Sequence, residues 1–408
     1  MERAPSFYPV PRVLTPPLVY KAVSARPCLQ GLVYETRTRL NTGSDHFPGR
    51  AMSTNWDTTD VLRTPMEICW QFDYEIEIDQ LRNLYAKAKQ QQWDAARDID
   101  WSHEIDPSRP IIDESQFLLG RLPVIQKLSK SQQETFRAHM SAHLLSQFLH
   151  GEQGALMTAA ALTHAVPDYE AKLYAATQTM DEARHVEVYQ TYIDRLAIIY
   201  PISPWLKHLI DVTLQSGHWV KIAIGMNMVV EGLALGAFHN MRRQTRCETL
   251  RAITESVLRD ESRHVAFGSV YVGAAVADMH EDEREDIADF AFEAVKIMSD
   301  AQGGPDGKGR RASDPGFVQM LENVGIDTGD FVRDLVNASA SGLRAKLPPG
   351  HVHSFRDLMM PALVRVGAIT ERSRERYAAA GIPIWDDLTK LESLEDPSRG
   401  DIEIPEGA

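Results

Sequence analysis

The chain has 408 residues, a formal net charge of −14 and a sequence pI of about 5.5. It is long enough for one large domain or two modest ones, and its acidic balance argues against nucleic-acid and anionic-membrane partners, which require clustered Lys and Arg. Its three cysteines, Cys28, Cys69 and Cys247, are far apart. This spacing argues against a disulfide framework or a thiolate metal site, and fits a reducing, cytoplasmic location.

The first segment, residues 1–55, differs from the rest. It is rich in Pro, Arg, Ser and Thr and poor in acids and in helical periodicity. We interpret it as a disordered extension, or as the result of a start codon placed upstream of a true start at Met52. An organelle transit peptide, which is also Arg- and Ser-rich and acid-poor, is the alternative.

Helical periodicity begins near residue 75 and predicts an all-α domain over 70–380, followed by a flexible acidic tail at 384–408. Trp93 and Trp101, around the start of a predicted loop at 98–113, are interpreted as packing residues. Predicted helices cover 75–97, 131–164 with a Ser129 cap, 168–198, 204–243, 246–279, 281–301, 315–325, 328–345 and 352–381. Four helices of about 30 residues or more with short connections indicate an antiparallel bundle at 130–280.

No uninterrupted apolar run approaches the roughly 20 residues that a membrane span needs. The longest candidate, 222–238, contains Asn227 and Glu231 and is interpreted as a buried helix. The sequence therefore predicts no membrane partner.

A six-residue motif occurs twice within the predicted bundle. Residues 181–186 read Asp-Glu-Ala-Arg-His-Val and residues 260–265 read Asp-Glu-Ser-Arg-His-Val, and a further glutamate precedes each motif, Glu152 in the first half and Glu231 in the second. Positions i and i+3 of a helix share a face, so the Glu and His of each motif can bind one ion together. Carboxylate and imidazole ligands without thiolates suit iron or manganese.

The residues next to the motif glutamates complete the pattern. Metal-bound histidines often donate their second ring N–H group to a carboxylate. With the two motif helices antiparallel, we expect Asp181 to orient His264 and Asp260 to orient His185. Arg184 and Arg263 are expected to pair with the surplus carboxylates.

These residues resemble the ferritin-like di-iron carboxylate superfamily, which includes the ribonucleotide reductase small subunit, bacterial di-iron monooxygenases and arylamine N-oxygenases. The resemblance covers about 130–280 and implies a four-helix bundle with additional N- and C-terminal helices. It implies two iron ions, with one or two glutamates bridging. One iron is expected at Glu152, Glu182 and His185, and the other at Glu231, Glu261 and His264.

The resemblance also implies a di-iron oxygenase that uses O2 for C-hydroxylation or N-oxygenation of a small organic substrate. Electrons come from a reductase or ferredoxin, because the chain shows no flavin, nicotinamide or Fe–S signature. One alternative is a radical or Mn/Fe oxidase protein with Tyr189 as its redox residue; another is a non-catalytic iron-binding protein. A homodimer is expected from the family alone.

The two halves differ in places that bear on the substrate. Tyr189 lies one turn after His185, whereas the matching position after His264 is Gly268. Val257 stands where arylamine N-oxygenases carry an extra histidine, and Leu235 stands where multicomponent monooxygenases carry a threonine. Glu152 stands where radical-forming small subunits often carry an aspartate, so no single subfamily is matched. Small residues surround the two outer glutamates and predict either a pocket or close helix packing: Gly151, Gly154, Ala155, Gly232, Ala234 and Gly236.

Overall fold

The computed structural model describes residues 60–72, 74–106, 111, 117–302, 314–342 and 347–395. Within these residues the chain is helical and contains no strand. The all-α architecture predicted from the sequence is confirmed. The expected extension at 1–55 lies outside the described residues.

The core of the fold is a bundle of four long helical segments joined by short connections. They are α3 (Lys130–Ala165), α4 (Tyr169–Ile193), the composite α6 (Trp219–Ala223), π1 (Ile224–Val230) and α7 (Glu231–Gln244), and α8 (Glu248–Asp278). Short connections make consecutive helices antiparallel. Ser129 caps α3 through a capping box with Gln132, as the sequence predicts.

The remaining helices surround this bundle. α1 (Asp79–Gln90) packs across α4 and α8. The others are the 3₁₀ turn Leu118–Arg121, α2 (Pro123–Gln126), α5 (Pro204–Gln215), α9 (Glu281–Gln302), α10 (Pro315–Asn323), α11 (Thr328–Ala340), π2 (Ser354–Met359), α12 (Met360–Arg365), α13 (Glu371–Ala379) and α14 (Thr389–Glu395).

Two of the predicted helices are interrupted. The segment predicted at 204–243 breaks between α5 and α6, where Gly217 has φ +62°, and then widens into π1. The segment predicted at 352–381 breaks at Gly367, with φ +77°. Only glycine adopts this left-handed backbone at little cost, so both breaks follow from glycines inside otherwise helical runs.

The segment Trp219–Gln244 is long and apolar enough to cross a membrane by length and composition, and 72% of its most apolar window is buried inside the fold. It carries Asn227 and Glu231, both buried. This burial is typical of a helix in the core of a fold.

Part of the segment predicted as a flexible tail is ordered. Residues Thr389–Glu395 form α14, whose Leu391 is fully buried, and Lys390 donates a hydrogen bond to Asp357 Oδ2 at 2.9 Å. The rest of that prediction, from 396 onward, lies outside the described residues.

Candidate metal centre

The two motifs and the two separate glutamates converge at the centre of the bundle, each on a different helical segment. Along α4 the first motif lies between Tyr174 of one apolar core cluster and Tyr189 of the other. Each of the six side chains is at most 6% exposed: Glu152, Glu182, His185, Glu231, Glu261 and His264.

These six side chains form two overlapping groups whose potential ligand atoms lie within 4.8 Å of one another. One group comprises Glu152, Glu182, His185 and Glu261. The other comprises Glu182, Glu231 and His264.

Two of the glutamates lie between the histidines. Glu182 places its carboxylate oxygens 3.2 Å from His185 Nδ1 and 3.0 Å from His264 Nδ1. Glu261 places its own 3.2 Å and 3.5 Å from the same two nitrogens. Glu182 and Glu261 are therefore within reach of both histidines, whereas Glu152 is grouped with His185 and Glu231 with His264.

The aspartate of each motif contacts the histidine of the other motif. His185 Nε2 lies 3.2 Å from Asp260 Oδ2, and His264 Nε2 lies 3.4 Å from Asp181 Oδ2. These are the contacts that an antiparallel motif pair predicts. They turn both Nδ1 atoms toward the glutamates.

Two buried arginines neutralise these aspartates. Arg184 contacts Asp181 at 2.5 Å and Asp260 at 3.0 Å. Arg263 contacts Asp181 at 3.1 Å and also pairs with Asp260. The charges of the two aspartates and the two arginines thus cancel. The charges of the four glutamates remain for bound ions to offset.

Three residues directly after α1 also bind these aspartates and arginines, a role that the sequence did not indicate. Trp93 donates its indole N–H to Asp260 Oδ2 at 2.7 Å, and Gln92 donates to Asp181 Oδ1 at 2.8 Å. Gln91 accepts from Arg263 at 2.7 Å. Trp93 also packs in an apolar core cluster, as the sequence predicts. No local signal marks its hydrogen bond, because its partner is 167 positions away.

Burial and mutual repulsion control the protonation of the outer glutamates. Burial raises the pKa of Glu152 and of Glu231 well above the ordinary value, and the nearby Glu261 carboxylate raises both further. Burial alone would lower the pKa of the two histidines, but the surrounding carboxylates raise both well above 6.5. In the absence of metal the cluster therefore holds protons that cations would replace.

Two buried atoms of the cluster lack a well-formed hydrogen bond, which fits a metal-binding role. His264 Nδ1 lies 3.0 Å from a Glu182 oxygen and 3.5 Å from Glu261 Oε2, but neither His264 Nδ1 nor Glu261 Oε2 makes a contact with hydrogen-bond geometry among the described residues. Buried polar atoms without partners are unfavourable and rare in native proteins. Two divalent cations would supply partners for these atoms and offset the four glutamate charges.

A cavity of about 940 Å³ reaches the cluster from one side. Glu152, Glu231 and Glu261 contribute to its wall. Most of the lining is apolar, including Phe148 and Phe238, which suits an organic substrate.

The small residues around the outer glutamates divide between the two predicted roles. Gly151, Ala155 and Ala234 line the cavity. A methyl group at Gly154 would lie 2.5 Å from Ile210 Cδ1, so that glycine permits close helix packing.

Tyr189 is fully buried among aromatic rings. Its ring lies 5.9 Å from that of Phe238 and 6.2 Å from that of Phe148. Its hydroxyl has no hydrogen-bond partner among the described residues. Burial raises its pKa well above 10, so the phenol stays protonated.

The helical bundle and its buried carboxylate–histidine cluster define a ferritin-like di-iron carboxylate protein. The sequence model of a family described as p-aminobenzoate N-oxygenase AurF matches residues 77–314, more than half of the chain. The chain therefore belongs to this family and is a di-iron oxidoreductase. This match selects one family within the superfamily that the motifs resemble. The chain still differs from the arylamine N-oxygenases at buried Val257, which occupies the position of their extra histidine.

Solved structures with a similar fold are distant in sequence. The dimanganese(II) NrdF of Streptococcus sanguinis is 15% identical over 68% of this chain and 94% of its own, with a TM-score of 0.43. An R2-like ligand-binding oxidase with an Mn/Fe cofactor is 17% identical over 76% and 95%, with a TM-score of 0.41. That of Sulfolobus acidocaldarius is 18% identical over 62% and 90%, with a TM-score of 0.38. No curated protein matches the sequence.

Proposed function

We propose that the protein is a non-haem di-iron monooxygenase that oxygenates a small organic molecule, with N-oxygenation of an aromatic amine as the leading reaction. The observation that carries this proposal is the opening of the six-residue cluster into an apolar cavity. A storage or iron-handling role would not require such a cavity. Membership of the N-oxygenase family supports the choice of an amine.

Six side chains would hold the two ions: Glu152, Glu182, His185, Glu231, Glu261 and His264. The ions, two iron or one manganese and one iron, would supply the redox chemistry with O2. The chain's own residues bind and orient. Asp181 and Asp260 fix the histidine rings, and the cavity wall holds the substrate beside Glu152.

The reaction requires electrons from outside the chain. N-oxygenation of an amine consumes O2, two electrons and two protons, and gives the hydroxylamine and water. We propose a reductase or ferredoxin as the donor. We also propose a cytoplasmic homodimer.

The test is product formation by iron-loaded protein under ¹⁸O2 with a chemical reductant and a panel of arylamines that includes p-aminobenzoate. We expect one ¹⁸O atom in the product, and no product from Glu152→Ala. Oxygen consumption without incorporation of ¹⁸O into any amine or aromatic substrate would contradict the monooxygenase assignment.

The radical alternative depends on Tyr189. Oxidation of a tyrosine releases the phenolic proton, which needs an acceptor within hydrogen-bond reach. The Tyr189 hydroxyl has none among the described residues, so a group bound at the metal centre would have to take this proton. A tyrosyl radical signal after loading with iron and O2, lost in Tyr189→Phe, would favour the radical alternative over the oxygenase.

A further inference from the structure

The two outer glutamates are held in different ways. Both carboxylate oxygens of Glu231 accept hydrogen bonds from buried side-chain amides. Gln178 Nε2 donates to Oε1 at 2.8 Å, and Asn227 Nδ2 donates to Oε2 at 3.0 Å. Glu231 is therefore fixed on both sides.

The two amides also bind each other. Asn227 Nδ2 lies 3.1 Å from Gln178 Oε1, and Gln178 Nε2 lies 3.3 Å from Glu182 Oε1. Asn227 Oδ1 is buried without a partner among the described residues, which is unfavourable. The amide keeps this orientation because a turned amide would place its oxygen against the Glu231 carboxylate.

Glu152 has no comparable support. Among the described residues its hydrogen-bond partner is His185 Nδ1, 3.2 Å from Oε2. Its side chain faces the cavity beside Gly151 and Ala155. Glu152 is thus freer to move than Glu231.

The difference follows from the unequal halves of the sequence. Asn227 lies on π1, and a methyl group on Gly268 would be 2.8 Å from Asn227 Cβ. Gly268 is the position that matches Tyr189 in the other motif. Asn227 therefore occupies the space that a side chain at position 268 would fill.

We propose that Gln178 and Asn227 are positioning residues that fix Glu231 and make the metal position beside His264 the tighter of the two. The inference rests on the proposed di-metal centre. Outer hydrogen-bond partners of metal ligands typically change affinity by about 10- to 100-fold. The amides of Gln178 and Asn227 are expected to act within this range.

The test is calorimetric titration of metal-free protein with Mn²⁺. Wild type is expected to bind two ions in two unequal steps. Asn227→Leu, which keeps side-chain size, is expected to weaken the tighter step about 10-fold or more and to leave the weaker step unchanged. Gln178→Met is expected to weaken the tighter step more than the weaker one, because Gln178 also donates to Glu182, which lies between the two histidines. Thr254→Val is the matched control, because this buried hydroxyl donates only to Leu250 O at 2.7 Å.

A second measurement identifies the tighter position without any variant. Wild-type crystals grown with one equivalent of Mn²⁺ are expected to show the anomalous peak beside Glu231 and His264. A peak beside His185, or equal weakening of both steps in the two variants, would overturn the inference. A wild type that binds no Mn²⁺ would overturn the metal centre itself, and the inference with it.

Discussion

Trp93 connects the surface helix α1 to the buried charges around the metal cluster. Its indole N–H donates to Asp260 Oδ2, which also accepts from His185. Hydrogen bonds to charged groups contribute about 1.5–3 kcal/mol. We expect Trp93→Phe to lower the free energy of unfolding by about 2 kcal/mol, measured by urea denaturation.

Trp101→Phe is the comparison for this substitution. Trp101 donates to a neutral acceptor, Ala95 O, at 2.8 Å, so its loss is expected to cost about 1 kcal/mol or less. Equal losses in the two variants would show that the charge on Asp260 does not matter to Trp93.

His264 is expected to be indispensable for one ion. Its Nδ1 has carboxylate oxygens of Glu182 and Glu261 within 3.5 Å and no hydrogen-bond partner. We predict that His264→Ala lowers bound iron from two ions per chain to one or none, as counted by elemental analysis. Retention of two irons by this variant would show that the ligand set is wrong.

At the scale of the helix, α8 contains two glycines with opposite expected effects. A methyl group at Gly268 would lie 2.8 Å from Asn227 Cβ, whereas one at Gly273 would meet nothing closer than 3.7 Å. Gly268→Ala is expected to destabilise the fold by about 1–3 kcal/mol through overpacking. Gly273→Ala is expected to stabilise it by about 0.5–1 kcal/mol, because alanine is the better helix former.

Thermal unfolding of the two variants and wild type checks this prediction. Changes of the same sign would mean that π1 yields to the added methyl group at Gly268. The comparison isolates the packing between π1 and α8, since both substitutions lie in the same helix.

The long helices were predictable because their apolar periodicity and caps are local. α3 was expected at 131–164 and spans Lys130–Ala165. The breaks in two of the predicted helices were not predictable. Gly217 and Gly367 interrupt these helices by their positive φ, without a change in the apolar periodicity of the sequence. The widening at π1 likewise has no local signal in an apolar run.

The candidate site likewise combines residues that the sequence predicted with residues that it did not. The six proposed ligands followed from a spacing repeated along the helices. The sequence gives no sign that Gln178, Gln91 and Gln92 contact the proposed ligands or the charges around them. Gln178 contacts Glu231, Gln92 contacts Asp181 and Gln91 contacts Arg263, at separations of 53, 89 and 172 positions, and only the folded chain brings these pairs together.

For the whole molecule, the protons held by the metal-free cluster predict a pH dependence. The pKa values of Glu152, Glu231, His185 and His264 are all raised in the folded state. A raised folded pKa contributes stability that is present below the unfolded value and lost as pH rises through the folded value. The metal-free protein is therefore expected to be less stable at pH 8 than at pH 6.

Metal should act in the opposite direction, because cations displace these protons. We expect Mn²⁺ affinity to rise from pH 6 to pH 8 and proton release to accompany binding in weakly buffered solution. Asp181 and Asp260 do not titrate between pH 6 and pH 8, because the histidines and arginines keep their pKa below the ordinary value despite burial. A metal affinity that is independent of pH would contradict the protonated cluster.

The hydrogen bonds from the end of α1 have a consequence for the order in which the site is made. Gln91 and Trp93 reach partners on α8 that are 172 and 167 positions further along the chain. Domains fold as units and synthesis runs from the N-terminus, so neither the second histidine nor these closing bonds exist until α8 has left the ribosome. Capture of both proposed ions is therefore expected to be a late event, because a nascent chain stalled before α8 carries only four of the six proposed ligands.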